Sequence, residues 1–297
     1  MKIAVGLPAY NESKNIASVI TQLKKITNLI LVCDDGSTDQ TADIAESAGA
    51  VVIRHAKNIG YGGAIKSLFT KFVETEADIL VTFDADGQHR IEDIEIVLEP
   101  ILKNKADIVI GSRFLTNNDQ EVPRYRKLGI KTITNLTNIS TTTKLTDSQS
   151  GFRAYTKKVL EVIVPSEHGM GVSTEILIKA SNKGFRISEV PIKILYHGDT
   201  STHNPVSHGV SVLLSTMKFV SIEHPLKFYG IPGIVFLTIG LFFVGWTVQY
   251  RAEYGIFHPV LALVAIGLTL FGLMFMMMAI LLYSLVSLIK SGDNYRS

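Results

Sequence analysis

The 297-residue sequence contains one cysteine, Cys33, and one tryptophan, Trp246. A single thiol excludes any intrachain disulfide and fits a reducing compartment. An excess of one charge sign is also missing: 29 Lys and Arg stand against 27 Asp and Glu, a formal net charge of +2. Nucleic-acid binders need a basic face with excess Lys and Arg, so no nucleic-acid partner is expected. No internal repeat or low-complexity segment is present. Charge of either sign is scarce in one region, since past Lys227 only Arg251, Glu253, Lys290, Asp293 and Arg296 carry it.

That scarcity divides the chain. Residues 228–250 and 254–289 contain no Asp, Glu, Lys or Arg, and each run exceeds the roughly 20 apolar residues that cross hydrocarbon. Two transmembrane helices are expected, near 228–250 and 259–285. The second run has 36 residues, which as helix is ~54 Å and too long for a bilayer; its helix is expected to begin near Pro259. Trp246 and Tyr250 read as interfacial or lipid-facing anchors. Lys218 and Lys227 precede the first span, Lys290 and Arg296 follow the second, and the turn between holds only Arg251. Positive-inside bias then puts both termini and the front domain in the cytoplasm. The N-terminal apolar stretch Ile3–Ala9 is too short for a signal peptide, which agrees. The two spans also offer a surface for a homo-oligomer.

Between front and tail, Val206, Val210, Leu213, Leu214, Met217 and Val220 recur at helical spacing, with Ser207, Ser211, Ser215 and Lys218 opposite. Such a helix lies in the membrane interface or packs on the domain. The expected organisation is a catalytic domain over 1–204, an amphipathic helix over 205–225 and a membrane domain over 226–297.

The front half alternates short apolar runs (3–7, 29–33, 51–54, 79–83, 108–110) with helical patterns (13–25, 41–48, 63–73, 91–102). This alternation predicts an α/β fold with a mostly parallel sheet, whose ligands sit at the carboxyl ends of the strands. Further helices are expected over Arg124–Ser140 and Thr174–Asn182, with an extended piece over Phe185–Tyr196.

The segments after the strands carry the chemistry. In Asp84-Ala85-Asp86 the carboxylates at i and i+2 face one way on an extended chain, and Gln88 follows at the same spacing. Three oxygen donors suit Mg²⁺ or Mn²⁺. A DxD alone is a metal site or an acidic turn; its place after a buried strand favours the metal, because unpaired carboxylates are costly there. In Asp34-Asp35-Gly36-Ser37-Thr38-Asp39, Ser37 or Thr38 as N-cap and Asp39 in the first turn account for a helix start but leave Asp34 and Asp35 unexplained. A carboxylate at that strand end can accept from ribose hydroxyls or a base N–H. Pro8-Ala9-Tyr10-Asn11-Glu12 holds a cap candidate, Asn11, and sets Tyr10 and Glu12 beside the same crevice. Asn58–Ala64 lacks the GxGxxG spacing and reads as a tight turn.

PAYNE, DDGSTD, NIGYGGA, DADGQH, GSRF and Asp147-Ser-Gln-Ser-Gly-Phe-Arg153, in this order over roughly residues 2–225, resemble family 2 glycosyltransferases of the GT-A fold. The subgroup resembled contains dolichyl-phosphate mannose synthases and polyprenyl-phosphate glucosyltransferases. The resemblance implies that Pro8, Tyr10, Glu12 and Asp34 hold the nucleotide. It puts Asp84 and Asp86 at the metal and diphosphate, with Gln88 as a further metal ligand. Arg113 matches a residue that grips the acceptor phosphate, and Arg126 and Lys127 a second basic pair for that task, Lys127 standing where some members have Arg. Asp147 and Arg153 match a segment lining the sugar site, and Glu175 an acidic residue near the donor sugar. Tyr196-His197 to His203 resembles a segment that supplies Arg or Lys to the diphosphate, with histidines here instead.

The implied reaction is metal-dependent, inverting transfer of a hexose from a nucleotide sugar to dolichyl or another polyprenyl phosphate. GDP-mannose leads among donors by family frequency, followed by UDP-glucose and UDP-N-acetylglucosamine. The divalent ion offsets leaving-group charge. A lipid monophosphate, with a second pKa of about 6, is already largely ionised and needs a cationic clamp more than a base, so Asp147 is an orienter or base. Three rival readings exist: a haloacid-dehalogenase-type phosphatase, from Asp84-Ala85-Asp86-Gly87; a processive polysaccharide synthase, whose Gln-x-x-Arg-Trp element is not matched because the one tryptophan, Trp246, falls inside a membrane span; and a non-catalytic membrane scaffold. The phosphatase motif normally follows the first strand, and a scaffold needs none of Asp84, Asp86, Gln88 and Arg113.

Overall fold

The structure, a computed structural model, describes residues 1–87, 89–115, 124–193 and 205–294, without the side chains of 124–126, 205–209, 211 and 289–294. The front of the chain runs β1 (Ile3–Ala9), α1 (Ile16–Leu23), β2 (Leu29–Asp34), α2 (Thr41–Ser47), β3 (Val51–Arg54), α3 (Tyr61–Val73), β4 (Ile79–Thr82), α4 (Asp93–Leu102) and β5 (Ile108–Ser112). It continues with α5 (Arg124–Asn138), β6 (Arg153–Thr156), α6 (Lys157–Val162), α7 (Val172–Asn182), β7 (Ile187–Pro191) and α8 (Pro205–Glu223). A π-helical turn, Leu226–Gly230, leads into α9 (Ile231–Tyr254), and α10 (Pro259–Asn294) follows.

The seven strands form one sheet in the order β3-β2-β1-β4-β6-β5-β7. All pairings are parallel except those of β6, which runs antiparallel to both β4 and β5. The α/β class and mostly parallel sheet are as expected; β6 is an addition. It starts inside the Asp147–Arg153 motif and has only four residues, Arg-Ala-Tyr-Thr, with neither an apolar run nor a clean alternation.

Side chains leave each strand alternately to two cores. Val5, Leu7, Val81, Phe83 and Val109 join Ile16, Ile20 and Leu23 of α1 and Ile94, Val97 and Ile101 of α4. Ala4, Leu80, Ile108 and Ile110 meet Leu68, Phe69 and Phe72 of α3 and Ile176 and Leu177 of α7. With both faces covered, the central strands are apolar throughout, which is why they read as continuous runs.

Cys33, in β2, is buried in the second core. Burial, with Asp35 and Asp34 beside it, pushes its thiol up to about 12. Because the thiolate is the reactive form, Cys33 is expected to resist alkylation in the native protein and to react in denaturant. A thiol count by colorimetric titration checks this.

The chain divides into two compact units, Met1–Thr216 and Met217–Ser297, so the division falls within α8. In the first unit, Ser215 Oγ of α8 donates to Glu167 Oε1 (3.4 Å) and the Thr216 hydroxyl meets that of Thr174 (3.4 Å). Val212 and Thr216 are buried while Val210 and Leu214 are 50% and 61% exposed. The helix thus packs through its small and hydroxyl side chains and leaves part of its apolar stripe uncovered. In the second unit, Phe275 of α10 packs against Tyr229 and Phe236. Leu226–Tyr254 and Pro259–Leu288 are long and apolar enough to cross a membrane, and large side chains such as Phe242, Leu263 and Leu281 are exposed along them.

Candidate active site

Strand register defines one edge of the sheet. Ala9 pairs with Asp34, Gly6 with Thr82, and both Thr82 and Ile110 pair with Arg153. The carboxyl ends of β1, β2, β4 and β5 and the start of β6 therefore meet at one rim. The Thr82 hydroxyl donates to the Gly151 carbonyl (2.6 Å) and ties β4 to the turn before β6.

On the β1–β2 side, Asp34 is buried and its Oδ1 has no hydrogen-bond partner among the described residues. A buried acceptor left unpaired is costly, so this oxygen is suited to a ligand's N–H or O–H. Pro8 is partly buried opposite Cys33, and Tyr10 is exposed just past β1. Glu12 is turned toward α1, where its Oε2 accepts from Asn15 Nδ2 (3.0 Å).

The expected helix caps are used differently. Asn11, with a φ of 56°, accepts at Oδ1 from Thr38 N (2.8 Å), while Ser37 Oγ accepts from Asn11 N (2.9 Å). Glu12 N donates to Thr41 Oγ1 (2.8 Å) and Ser13 N to Asp39 Oδ2 (3.2 Å). These side chains clasp the β1–α1 and β2–α2 loops together, and only Asp39 reaches the α2 start, accepting from Thr41 N (3.0 Å). Asp35 binds a third loop, accepting from Ile59 N (3.1 Å) and Gly60 N (2.8 Å) and pairing with His55 Nδ1 (2.7 Å). The glycines after it serve close approach: Gly62 N donates to the His168 carbonyl (2.8 Å), and a Cβ on Gly62 would lie 2.1 Å from the Glu167 oxygen.

Asp84 and Asp86 follow β4, both partly buried. His89 is buried between Phe83 and Phe152, with its Nε2 3.1 Å from Asp84 Oδ2. A Cβ on Gly151 would sit 2.6 Å from the Tyr61 hydroxyl and 3.1–3.2 Å from both Asp84 oxygens, so only glycine lets the chain pass this close to the carboxylate. Two hard carboxylates that are only partly buried fit a divalent cation completed by water and phosphate oxygens. Among the described residues no group of three His, Cys, Asp or Glu side chains forms a ready cage. The third expected donor, Gln88, lies outside the described residues.

Arg113 follows β5 and meets Asp147 in a two-point pair, Nε to Oδ2 at 2.6 Å and Nη2 to Oδ1 at 2.7 Å. Asp147 is fully buried and also accepts from the amides of Arg113 (3.2 Å) and Gln149 (3.3 Å). Burial pushes its carboxyl up, but the charge and hydrogen bonds of Arg113 outweigh this and hold it below the ordinary value. Asp147 is thereby an ionised partner of Arg113, a poor acceptor for a substrate proton. Lys127 lies near the start of α5 with a partly buried side chain. The side chain of Arg126 lies outside the described residues, as does the Tyr196–His203 segment.

Two expected sugar neighbours turn inward instead. Arg153 is buried and donates to the carbonyls of Ser150 (2.8 Å), Ser148 (2.8 Å) and Ser173 (3.0 Å). The cavity beside it, lined by Tyr61, Thr82, Gly151 and Tyr155 among others, is about 10 Å³, which holds one water and no sugar. Glu175 is buried and accepts from the amides of Ser166 (2.8 Å) and Glu167 (2.9 Å), with Lys179 Nζ at 2.6 Å. Both side chains are spent on the backbone of neighbouring loops.

The Glycosyl transferase family 2 profile matches residues 4–164. The chain belongs to this family. It is 34% identical over 230 residues to UDP-N-acetylglucosamine--dolichyl-phosphate N-acetylglucosaminyltransferase from Methanococcus voltae, covering 70% of this chain and 89% of that protein. It is 30% identical over 227 residues to dolichyl-phosphate hexose transferase from Haloferax volcanii, covering 76% and 96%. The fold is that of glucosyl-3-phosphoglycerate synthase from Mycobacterium tuberculosis, solved with Mn²⁺, uridine diphosphate and phosphoglyceric acid. The match has a TM-score of 0.56 at 21% identity over 74% of this chain and 78% of that one. The protein is therefore a glycosyltransferase, and the phosphatase and scaffold readings fall away.

For this family 2 glycosyltransferase, sequence reasoning passed over His55 and left Asp35 unexplained, because their partners lie on other strands and loops. An acid directly after a buried strand was the available signal. Glu189 has no motif around it in the sequence.

Proposed function

We propose that the protein is a membrane-anchored, metal-dependent, inverting glycosyltransferase that moves one sugar from a nucleoside diphosphosugar to dolichyl or another polyprenyl phosphate. The observation that carries this is the placement of a carboxylate-oriented guanidinium, Arg113 on Asp147, at the same rim as Asp84 and Asp86, since β4 ends opposite Arg153 and β5 ends two residues past its own pairing with Arg153. Such a rim brings an anion clamp for an acceptor beside an acidic site for a metal-bound diphosphate.

Asp84, Asp86 and Gln88 would hold Mg²⁺ or Mn²⁺, which offsets the charge that grows on the departing nucleoside diphosphate. Asp34 receives a donor group of the nucleoside, with Pro8, Tyr10 and Glu12 around it. Arg113, with Arg126 and Lys127, fixes the acceptor phosphate. That phosphate, with a second pKa of about 6, brings its own nucleophilic oxygen, so no side chain need remove a proton. The two apolar helices anchor the enzyme where its acceptor resides. The basic residues flanking them support a cytoplasmic location for the catalytic unit and both termini by positive-inside bias, and the uncovered apolar stripe of α8 supports an interfacial role for that helix.

The donor inferred from the Methanococcus voltae relative is UDP-N-acetylglucosamine, ahead of the GDP-mannose suggested by family frequency. Full-length protein in membranes, given radiolabelled UDP-N-acetylglucosamine, UDP-glucose or GDP-mannose with polyprenyl phosphate and Mg²⁺, should label a mild-acid-labile lipid with the first donor at least about tenfold faster than with the others, a gap of ~1.4 kcal/mol. Preference for GDP-mannose would replace the donor, and no lipid product with any of them would remove the reading.

A further inference from the structure

Glu189 lies in β7, the edge strand beside β5, in register with Ile110. Its carboxylate accepts at Oε1 from Asp147 N (2.9 Å) and at Oε2 from Thr146 N (2.8 Å) and Thr146 Oγ1 (2.9 Å). Because an ionised carboxylate only accepts, the Thr146 hydroxyl gives its proton to Glu189. Its oxygen must then accept from Ser112 Oγ, 2.6 Å away, and Ser112 Oγ in turn accepts from Phe114 N (3.2 Å). Hydrogen bonds from both sides of Arg113 thus run to one acid. One route is Phe114 to Ser112 to Thr146 to Glu189. The other passes from Arg113 through the Asp147 carboxylate to the Asp147 amide.

We infer that Glu189 is a positioning residue that sets the Arg113 guanidinium for the acceptor phosphate through Thr146 and Asp147. The inference rests on the reading of Arg113 as the acceptor clamp. Burial pushes the Glu189 carboxyl above its ordinary value and Asp147 adds to that, but a backbone amide donates to each of its two oxygens, the arrangement an ionised carboxylate accepts. What only the carboxylate supplies is an acceptor at both oxygens. Glutamine has one acceptor oxygen and would turn an NH2 group toward the Asp147 amide or toward Thr146, forcing one link open. Arg113 and Asp147 meet in a planar two-point pair, whose direction depends on where the Asp147 backbone sits.

The experiment compares wild type with E189Q, T146V, R113K and the double variant E189Q/R113K in full-length enzyme. It measures KM for a short-chain polyprenyl phosphate, KM for the nucleotide sugar, kcat and the thermal midpoint. E189Q and T146V are expected to raise the acceptor KM about tenfold, the worth of one hydrogen bond to a charged group, with the donor KM unchanged. E189Q is expected to add nothing in the R113K background, since residues acting in series are not additive. T146V keeps the side-chain volume and removes only the hydroxyl, so it carries the test if E189Q does not fold. A purely structural role would lower the midpoint without moving the acceptor KM. That result, an equal rise in donor KM, or full additivity with R113K overturns the inference. If R113K itself keeps a wild-type acceptor KM, the clamp reading fails and the inference with it. If R113K raises it and both E189Q and T146V do not, only the inference fails.

Discussion

Asp86→Ala is expected to reduce sugar transfer about a thousandfold in saturating Mg²⁺, the equivalent of several kcal/mol of charge stabilisation, and to abolish metal-dependent binding of the nucleoside diphosphate. Asp86 is a sharper target than Asp84. Asp84 also receives the buried His89 ring at 3.1 Å and faces Gly151, so its removal disturbs packing between Phe83 and Phe152 as well as any metal. Asp86 sits in the turn past the strand, partly exposed, where substitution leaves the two cores intact. Asp86→Asn provides the charge-only comparison, because an amide keeps the shape and weakens a hard-cation site. Calorimetric titration of nucleoside diphosphate with and without Mn²⁺ separates the two contributions. Loss of the metal-dependent part alone supports the assignment, and near-normal turnover in Mg²⁺ ends it.

How far the site was legible follows from how local its determinants are. β1, β2, β4 and β5 are buried on both faces, so each is an apolar run that ends where the rim begins, and the acidic and glycine-rich segments fall just past those ends. β6 escaped because four residues containing the buried Arg153 resemble neither kind of strand. The cap assignments went astray because Asn11, Ser37, Asp39 and Thr41 satisfy one another across two loops separated by some 26 residues, a pairing without local pattern. Arg153 and Glu175 drew attention as polar groups in a sugar-site motif. In the fold they meet carbonyls and amides of loops brought together only by the sheet order. Asp147 was read by its motif, but its ionisation is set by Arg113, 34 residues away.

Arg113→Ala is expected to lower kcat/KM for the lipid acceptor about a hundredfold, as for a lost two-point charge-assisted pair, and also to alter how stability depends on pH. In the wild type the Asp147 carboxyl lies below its ordinary value. Its contribution to stability is therefore present above the unfolded pKa of about 3.9 and is lost as pH falls through the folded value. Without the Arg113 side chain the burial remains and only the amides of residues 113 and 149 still offset it, so the folded pKa is expected to rise past the unfolded one and the sign to reverse. The variant should be destabilised by about 3–5 kcal/mol near neutrality, and by less as pH falls and Asp147 takes up a proton. Thermal midpoints of wild type and Arg113→Ala between pH 5 and 8 should accordingly converge toward the acid end. Adding Asp147→Asn removes the stranded charge, so Arg113→Ala/Asp147→Asn should regain stability at neutral pH without regaining acceptor affinity. A double variant that recovers both would show that Arg113 serves only to neutralise Asp147. Recovery of stability alone separates the clamp from the fold, because the guanidinium is then missed by the phosphate and not by the core.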